Sequence, residues 1–198
     1  MPSQDPAAPS PRGRPRRPGI DHDILRATLN ILATQGYSAL SLEAVAKAAG
    51  VTRPTIYRRW PGKAALVAHA LAAGLPPLAT PDTGDPLADL RTVATNFITA
   101  FTESPHAPVT FVLHAEARHD PELANHLFAS YLAPRAAAVH TLITRAQATT
   151  QLRVDLAPDL IRDLIFGPLV YRWLVAGEPM TRAAADQLVE LSCRAVAP

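Results

Sequence analysis

Apolar residues fall at helical spacing from the first point at which the chain shows any periodicity. Ile24, Leu25, Ala27, Leu29, Ile31 and Leu32 cover one broad face, with Asp23, Arg26, Asn30 and Thr34 on the other. A stripe of that width marks a helix packed on a core. Asp21 is a candidate N-cap, because a short acidic side chain can accept from the unbonded N–H groups of a first turn, and Gly36 supplies the stop. Ser41 is placed to cap a second, short helix over 42–49, ended by Gly50. Thr52 is placed to cap a third over 53–60, where Pro54 falls in the first turn and its missing N–H removes no bond. Pro61-Gly62 breaks the chain again, and 63–73 reads as a fourth helix.

The stretch 74–86 holds Pro76, Pro77, Pro81, Gly84 and Pro86 and reads as a loop. Beyond it, helical patterns cover roughly 87–103, 107–119, 122–149, 158–176 and 181–196. Pro134 lies inside the long one and is expected to kink or split it. Strand-like alternation and internal repeats are absent, so the expected fold is all-α, with about nine helices.

Composition adds little to that picture and charge adds a good deal. At 48% hydrophobic and 18% charged, 198 residues suit a packed protein of one large domain or two small ones. No apolar run reaches the ~18–20 residues that span a bilayer. The single cysteine, Cys193, cannot form an internal disulfide. Together with a polar, Pro-rich start that is unlike a secretory signal, this points to the cytoplasm. Residues 1–64 carry ten Lys/Arg against four Asp/Glu, whereas 65–198 carry nine against thirteen. Only the front of the molecule is therefore suited to a polyanion. Residues 1–19, with six prolines, four arginines and no apolar periodicity, read as a disordered basic arm.

The strongest signal is the segment from Ser41 to Trp60. Val45, Ala46 and Ala49 sit where a short helix must approach its neighbours closely, Gly50 permits a sharp turn and Val51 fills the junction. Ile56 and Trp60 anchor the next helix inward. That leaves Arg53, Thr55, Arg58 and Arg59 outward, and a helix presenting such side chains from its N-terminal half suits the major groove.

Residues 41–66 resemble the signature of the tetracycline-repressor (TetR) family: Ala49-Gly50-Val51 at the turn, then Tyr57, Trp60, Lys63 and Leu66. Two positions depart from it. Trp60 stands where Phe is commoner, and Pro54 where a small flexible residue is frequent. The resemblance implies a three-helix, homeodomain-like helix-turn-helix domain over 20–66 and a helical effector-binding and dimerisation domain over 67–198. Carried over by position, it makes Arg53, Thr55 and Arg58 base-edge candidates, and Ser41, Tyr57, Arg59 and Lys63 phosphate candidates. The run Arg12-Gly13-Arg14-Pro15-Arg16-Arg17 resembles the core of an AT-hook. Those four arginines either enter a narrow minor groove or contact phosphates without base preference.

The family also implies a homodimer through the last two helices, bound to a palindromic operator in double-stranded DNA, and a repressor released by a small apolar or amphipathic effector. Phe97, Phe101, Phe111, His114, Phe128, Tyr131, Phe166 and Tyr171 are the candidate effector contacts. The segments Asp120–Leu123 and Leu152–Asp155 and the Gly167-Pro168-Leu169 run resemble one actinobacterial-style C-terminal branch of the family. Two other readings stay open: a dimer whose pocket is vestigial and whose switch is a protein partner, and an enzyme of the acyl-transfer or hydrolase type. The enzyme reading finds no Gly-x-Ser-x-Gly, phosphate-cradling loop or paired-His metal motif, so no catalytic residue, metal or cofactor is expected.

Overall fold

The computed structural model describes residues 19–76, 78–104 and 106–198, with the side chains of Ala100, Phe101 and Ala107 excepted. The described residues are helical, in the order α1 (Ile20–Ala39), α2 (Leu42–Ala49), α3 (Arg53–Tyr57), α4 (Lys63–Gly74), α5 (Pro86–Glu103), α6 (Ala107–Ala117), α7 (Pro121–Leu127), α8 (Ala133–Ala148), α9 (Pro158–Val170) and α10 (Arg182–Ala195). A π-helical turn, Phe128–Leu132, joins α7 to α8 without a break, so the two form one long rod. Counting that rod once gives nine helices among the described residues. No helix of the described residues is long and apolar enough to cross a membrane.

Local sequence accounts for most helix ends. Ser41 accepts a 3.1 Å bond from the Ala44 N–H at the start of α2, as its position predicted. Asp120 does the same for Leu123 at the start of α7, and Thr181 for Ala184 at the start of α10. Two expected caps do not form. Asp21 is not an N-cap, because the cap falls two residues earlier, at Gly19 in a left-handed conformation. Asp21 lies instead in the first turn, where its charge favours the positive end of the helix. The Thr52 hydroxyl pairs with the Thr55 hydroxyl at 3.0 Å and makes no cap bond.

Gly36 interrupts α1 with φ 78° and ψ 176°, as its place after the apolar stripe predicted. Pro134 does not split the rod. The helix widens into the π turn just before it, which takes up the ring that would otherwise press on the carbonyl four residues back. Pro168 lies inside α9, and here the π turn, Tyr171–Val175, follows the proline instead of preceding it.

Helices α1 to α4 close around Ile24, Val45, Ile56, Leu66 and Leu71, all without solvent exposure. Helix α4 packs on α1 on one side and on α7 on the other, which ties the small N-terminal bundle to the larger one. The larger bundle centres on Leu90, Leu113, Leu123, Ile143 and Ile165, also fully buried. Asp89, buried at the start of α5, is satisfied by the N–H and hydroxyl of Thr83 at 3.1 and 2.7 Å, which fixes the Pro-rich loop.

Candidate DNA-reading head and effector cavity

The turn between α2 and α3 is set by Gly50 at φ 65°, a left-handed conformation that a side chain would strain. Its N–H returns to the Lys47 carbonyl and that of Val51 to Ala46, so the turn is closed by backbone bonds. Ile56 and Trp60 then pull α3 inward: both are buried, and the Trp60 indole donates to His69 Nδ1 at 2.8 Å on α4. Burial of those two side chains decides which residues face out. Arg53, Tyr57 and Arg58 are exposed, and Thr55 is half-buried. Tyr57 is 48% exposed.

The outward side chains are arranged rather than loose. Arg53 donates to Glu43 across the turn at 2.7 Å, with its guanidinium 5.8 Å from the Tyr57 ring centre. Arg58 has no side-chain hydrogen bond or ion pair among the described residues. Arg59 pairs with Asp21 on α1 and donates to the Thr55 carbonyl at 3.0 Å. Lys63 Nζ lies 4.1 Å over the ring of Tyr37, where desolvation by burial lowers the pKa of its ammonium. The arm residues Arg12, Arg14, Arg16 and Arg17 lie outside the described residues.

A cavity of 680 Å³ opens among α5, α6, the π turn, α8 and α9. That is within the ordinary size range for small-molecule sites. Of the predicted contacts, Phe97, Phe111, His114, Phe128, Tyr131 and Phe166 line it. The side chain of Phe101 lies outside the described residues. Tyr171 does not line it: that ring is 62% exposed on the outer face of the π turn after α9. Straight helical counting already separates the two: five positions at about 3.6 residues per turn carry Tyr171 well off the Phe166 face, to the side of Leu164 seven positions earlier. Phe97 and Phe166 meet edge to face at 5.4 Å across the wall.

Sequence reasoning missed Thr110, Arg135 and the Arg162–Asp163 pair, which also line the cavity. Thr110 lies one helical turn before His114, and Arg135 one turn after Tyr131, so i, i+4 spacing was a usable signal for both. Arg135 stacks 4.1 Å from the centre of the Tyr131 ring and donates to the Tyr131 and Pro76 carbonyls. Arg162 is held by Asp159 and Asp163, each at 2.9 Å.

A second surface is apolar and outward. Leu160, Leu164, Tyr171 and Val175 recur along one face of α9 and its π turn, and Leu191 lies exposed on α10. Gly167 sits in the middle of that face, where an added Cβ would meet nothing within 4 Å.

Comparison with known proteins places both halves. The model of the bacterial regulatory proteins of the tetR family matches residues 24–70, and that of the tetracyclin repressor-like C-terminal domain matches 80–192. An uncharacterized HTH-type transcriptional regulator of Bacillus subtilis strain 168, YdeS, is 32% identical over 181 residues, which is 91% of each chain. The crystal structure of the TetR-family regulator SCO0332 superposes with a TM-score of 0.68 at 31% identity, covering 91% of this chain and 100% of that one. A protein named flavonoid-responsive regulator FrrA superposes with a TM-score of 0.66 at 25% identity, covering 90% of this chain and 97% of that one. With one model reading the turn at Gly50 and the other the bundle around the cavity, the chain belongs to the TetR family of helix-turn-helix, DNA-binding transcriptional regulators.

Proposed function

We propose that the protein is a homodimeric repressor that binds a palindromic operator in the cytoplasm and leaves it when a small, largely apolar or amphipathic effector fills the 680 Å³ cavity. The observation that carries this reading is one continuous element. The rod formed by α7, the π turn and α8 contributes cavity wall at Phe128, Tyr131 and Arg135, and its first residues lie against the reading head through Asp120 and Tyr37. An occupant that moves the wall moves the end of the rod. It shifts the equilibrium between head positions only as far as it prefers one of them.

Placement supports a division of labour. Residues 20–66 form the reading head, with Arg53, Thr55 and Arg58 as base contacts and Ser41, Tyr57, Arg59 and Lys63 as phosphate contacts. Arg59 and Lys63 would have to exchange their present partners, Asp21 and the Tyr37 ring, for phosphate oxygens. The arm of residues 1–19 adds its four arginines to the duplex. Residues 67–198 hold the effector and the twofold contact.

The apolar face of α9 and α10 supports a second copy as its occupant. A short reading helix alone discriminates weakly, and twofold pairing doubles the sequence read. The gap at Gly167 leaves room for a facing helix to come close. FrrA is named for its response to flavonoids, which supports an aromatic effector for a cavity with four phenylalanine rings in its wall.

Selection of bound fragments from random duplex DNA tests the reading. A palindromic consensus whose positions depend on Arg53 and Arg58 is the expected result. Equal retention of all fragments by a monomer would end it. A thermal-shift screen with a lipophilic library, followed by release of the selected DNA, tests the effector half.

A further inference from the structure

We propose that the effector is a planar hydroxylated aromatic compound, anchored by its hydroxyl group to Thr110, His114 and Tyr131. The inference rests on the effector reading above and adds the chemical class and the anchor.

Three polar atoms on one side of the cavity, the Thr110 hydroxyl, His114 Nε2 and the Tyr131 hydroxyl, make no hydrogen bond among the described residues. Thr110 is 2% exposed, and its hydroxyl has no hydrogen-bond partner. It does not make the bond to a carbonyl one turn back that Thr28, Thr92 and Thr99 make in their helices. His114 Nδ1 lies 2.6 Å from the Thr110 carbonyl oxygen, so Nδ1 carries the proton. Nε2 is left as an acceptor with no bond among the described residues. Tyr131 is also 2% exposed, its ring meets the His114 ring edge to face at 6.2 Å, and its hydroxyl makes no bond among the described residues. Burial pushes the Tyr131 phenol up to about 12, so it stays neutral and available as a donor.

Buried hydrogen-bonding groups are nearly always satisfied, so the orphaned Thr110 hydroxyl, with two further unbonded polar atoms beside it on the same cavity wall, marks a place where a ligand group belongs. The chemistry of the set selects that group. An acceptor nitrogen beside two hydroxyls suits a hydroxyl, which donates to Nε2 and accepts from a neighbour. The cations nearby are already engaged: Arg162 is held between two aspartates, and Arg135 covers Tyr131 while donating to two carbonyls. A carboxylate ligand therefore finds no idle partner there. The remaining wall is rings, with Phe97 and Phe166 at 5.4 Å, which suits a flat aromatic body.

Calorimetric titration of the full chain with para-phenylphenol, para-methoxybiphenyl and biphenyl tests the anchor. The phenol is expected to bind about tenfold more tightly than its methyl ether, the size of one to two neutral hydrogen bonds. In Thr110→Val and Tyr131→Phe that preference collapses while affinity for the ether is unchanged. Both variants keep or raise the melting temperature of the free protein, because each removes a buried group that has no partner. This combination separates ligand anchoring from a structural role. If all three probes bind alike in the wild type, the cavity holds ligands but the hydroxyl anchor is wrong. If none binds to the folded protein, the aromatic class is wrong as well, and the library screen alone decides whether an effector exists.

Discussion

The phenol of Tyr37 donates a 2.8 Å hydrogen bond to Oδ2 of Asp120, joining the end of α1 to the first turn of α7 across 83 positions of sequence. Asp120 is also the cap of α7, with Oδ1 taking the Leu123 N–H at 3.0 Å. One carboxylate thus closes a helix and holds the neighbouring domain to it. The Lys63 ammonium on the other side of the Tyr37 ring completes a short chain from reading head to rod.

Tyr37→Phe removes the bridge and leaves the ring in place. A loss of about 1 kcal/mol in urea unfolding is expected, the ordinary net worth of a partly buried hydrogen bond. The pH dependence carries a sign. The Leu123 N–H, then the Tyr37 hydroxyl, hold the Asp120 carboxyl below its usual range. A depressed carboxylate stabilises the fold above its unfolded value, and this stabilisation is lost as the pH falls through the folded one. The gap between wild type and variant is therefore full at neutral pH and narrows below about pH 4. A gap that widens in acid would contradict the assignment.

Gly36→Ala tests the break in α1. At φ 78° and ψ 176° the backbone lies in a region essentially reserved for glycine, and the added Cβ would touch nothing within 4 Å. The penalty is therefore conformational, on the order of 1–3 kcal/mol. It should appear as a lower denaturation midpoint with an unchanged slope.

On DNA, Arg58→Ala should remove about 1–3 kcal/mol of discrimination at the base pair it reads, with little effect on unrelated duplex. Glu43→Gln should act in the opposite sense. It frees Arg53 and removes a negative charge beside the phosphates, tightening binding to any duplex by about threefold at low salt, an effect that fades as salt rises. Fluorescence anisotropy with matched and scrambled sites measures both.

Leu164→Arg places a charge in the middle of the apolar face of α9. Because Leu164 is exposed in the single chain, the monomer should keep its helical content and lose only the dimer. Sedimentation velocity would show the shift. Unchanged association would move the twofold contact elsewhere.

Two residues show how far pattern reading reached. Ser41 was legible as a cap because its partner, Ala44, is three positions away. Trp60 was legible as an inward anchor because it lies four positions from Ile56; the helix expected over 53–60 ends at Tyr57, but the Trp60 N–H still reaches the Ile56 carbonyl at 3.0 Å, which keeps the two on one side. Glu43 was not legible as the partner of Arg53, since that pair depends on the angle at which α2 meets α3. Tyr171 is outward by ordinary helical counting, seven positions from exposed Leu164, although its residue type suggested the cavity.

The chain's own pattern determined the helices, their order, the glycine turn and the side of α3 that faces out, because these follow from spacings of three and four residues and from the burial of apolar side chains. Tertiary structure alone decided that Arg59 meets Asp21, that Tyr37 reaches Asp120, and that Tyr131 joins the Thr110–His114 pair on one wall. Such meetings depend on how rigid helices are placed against one another, which is settled by packing summed over the whole core and is not encoded in any local stretch.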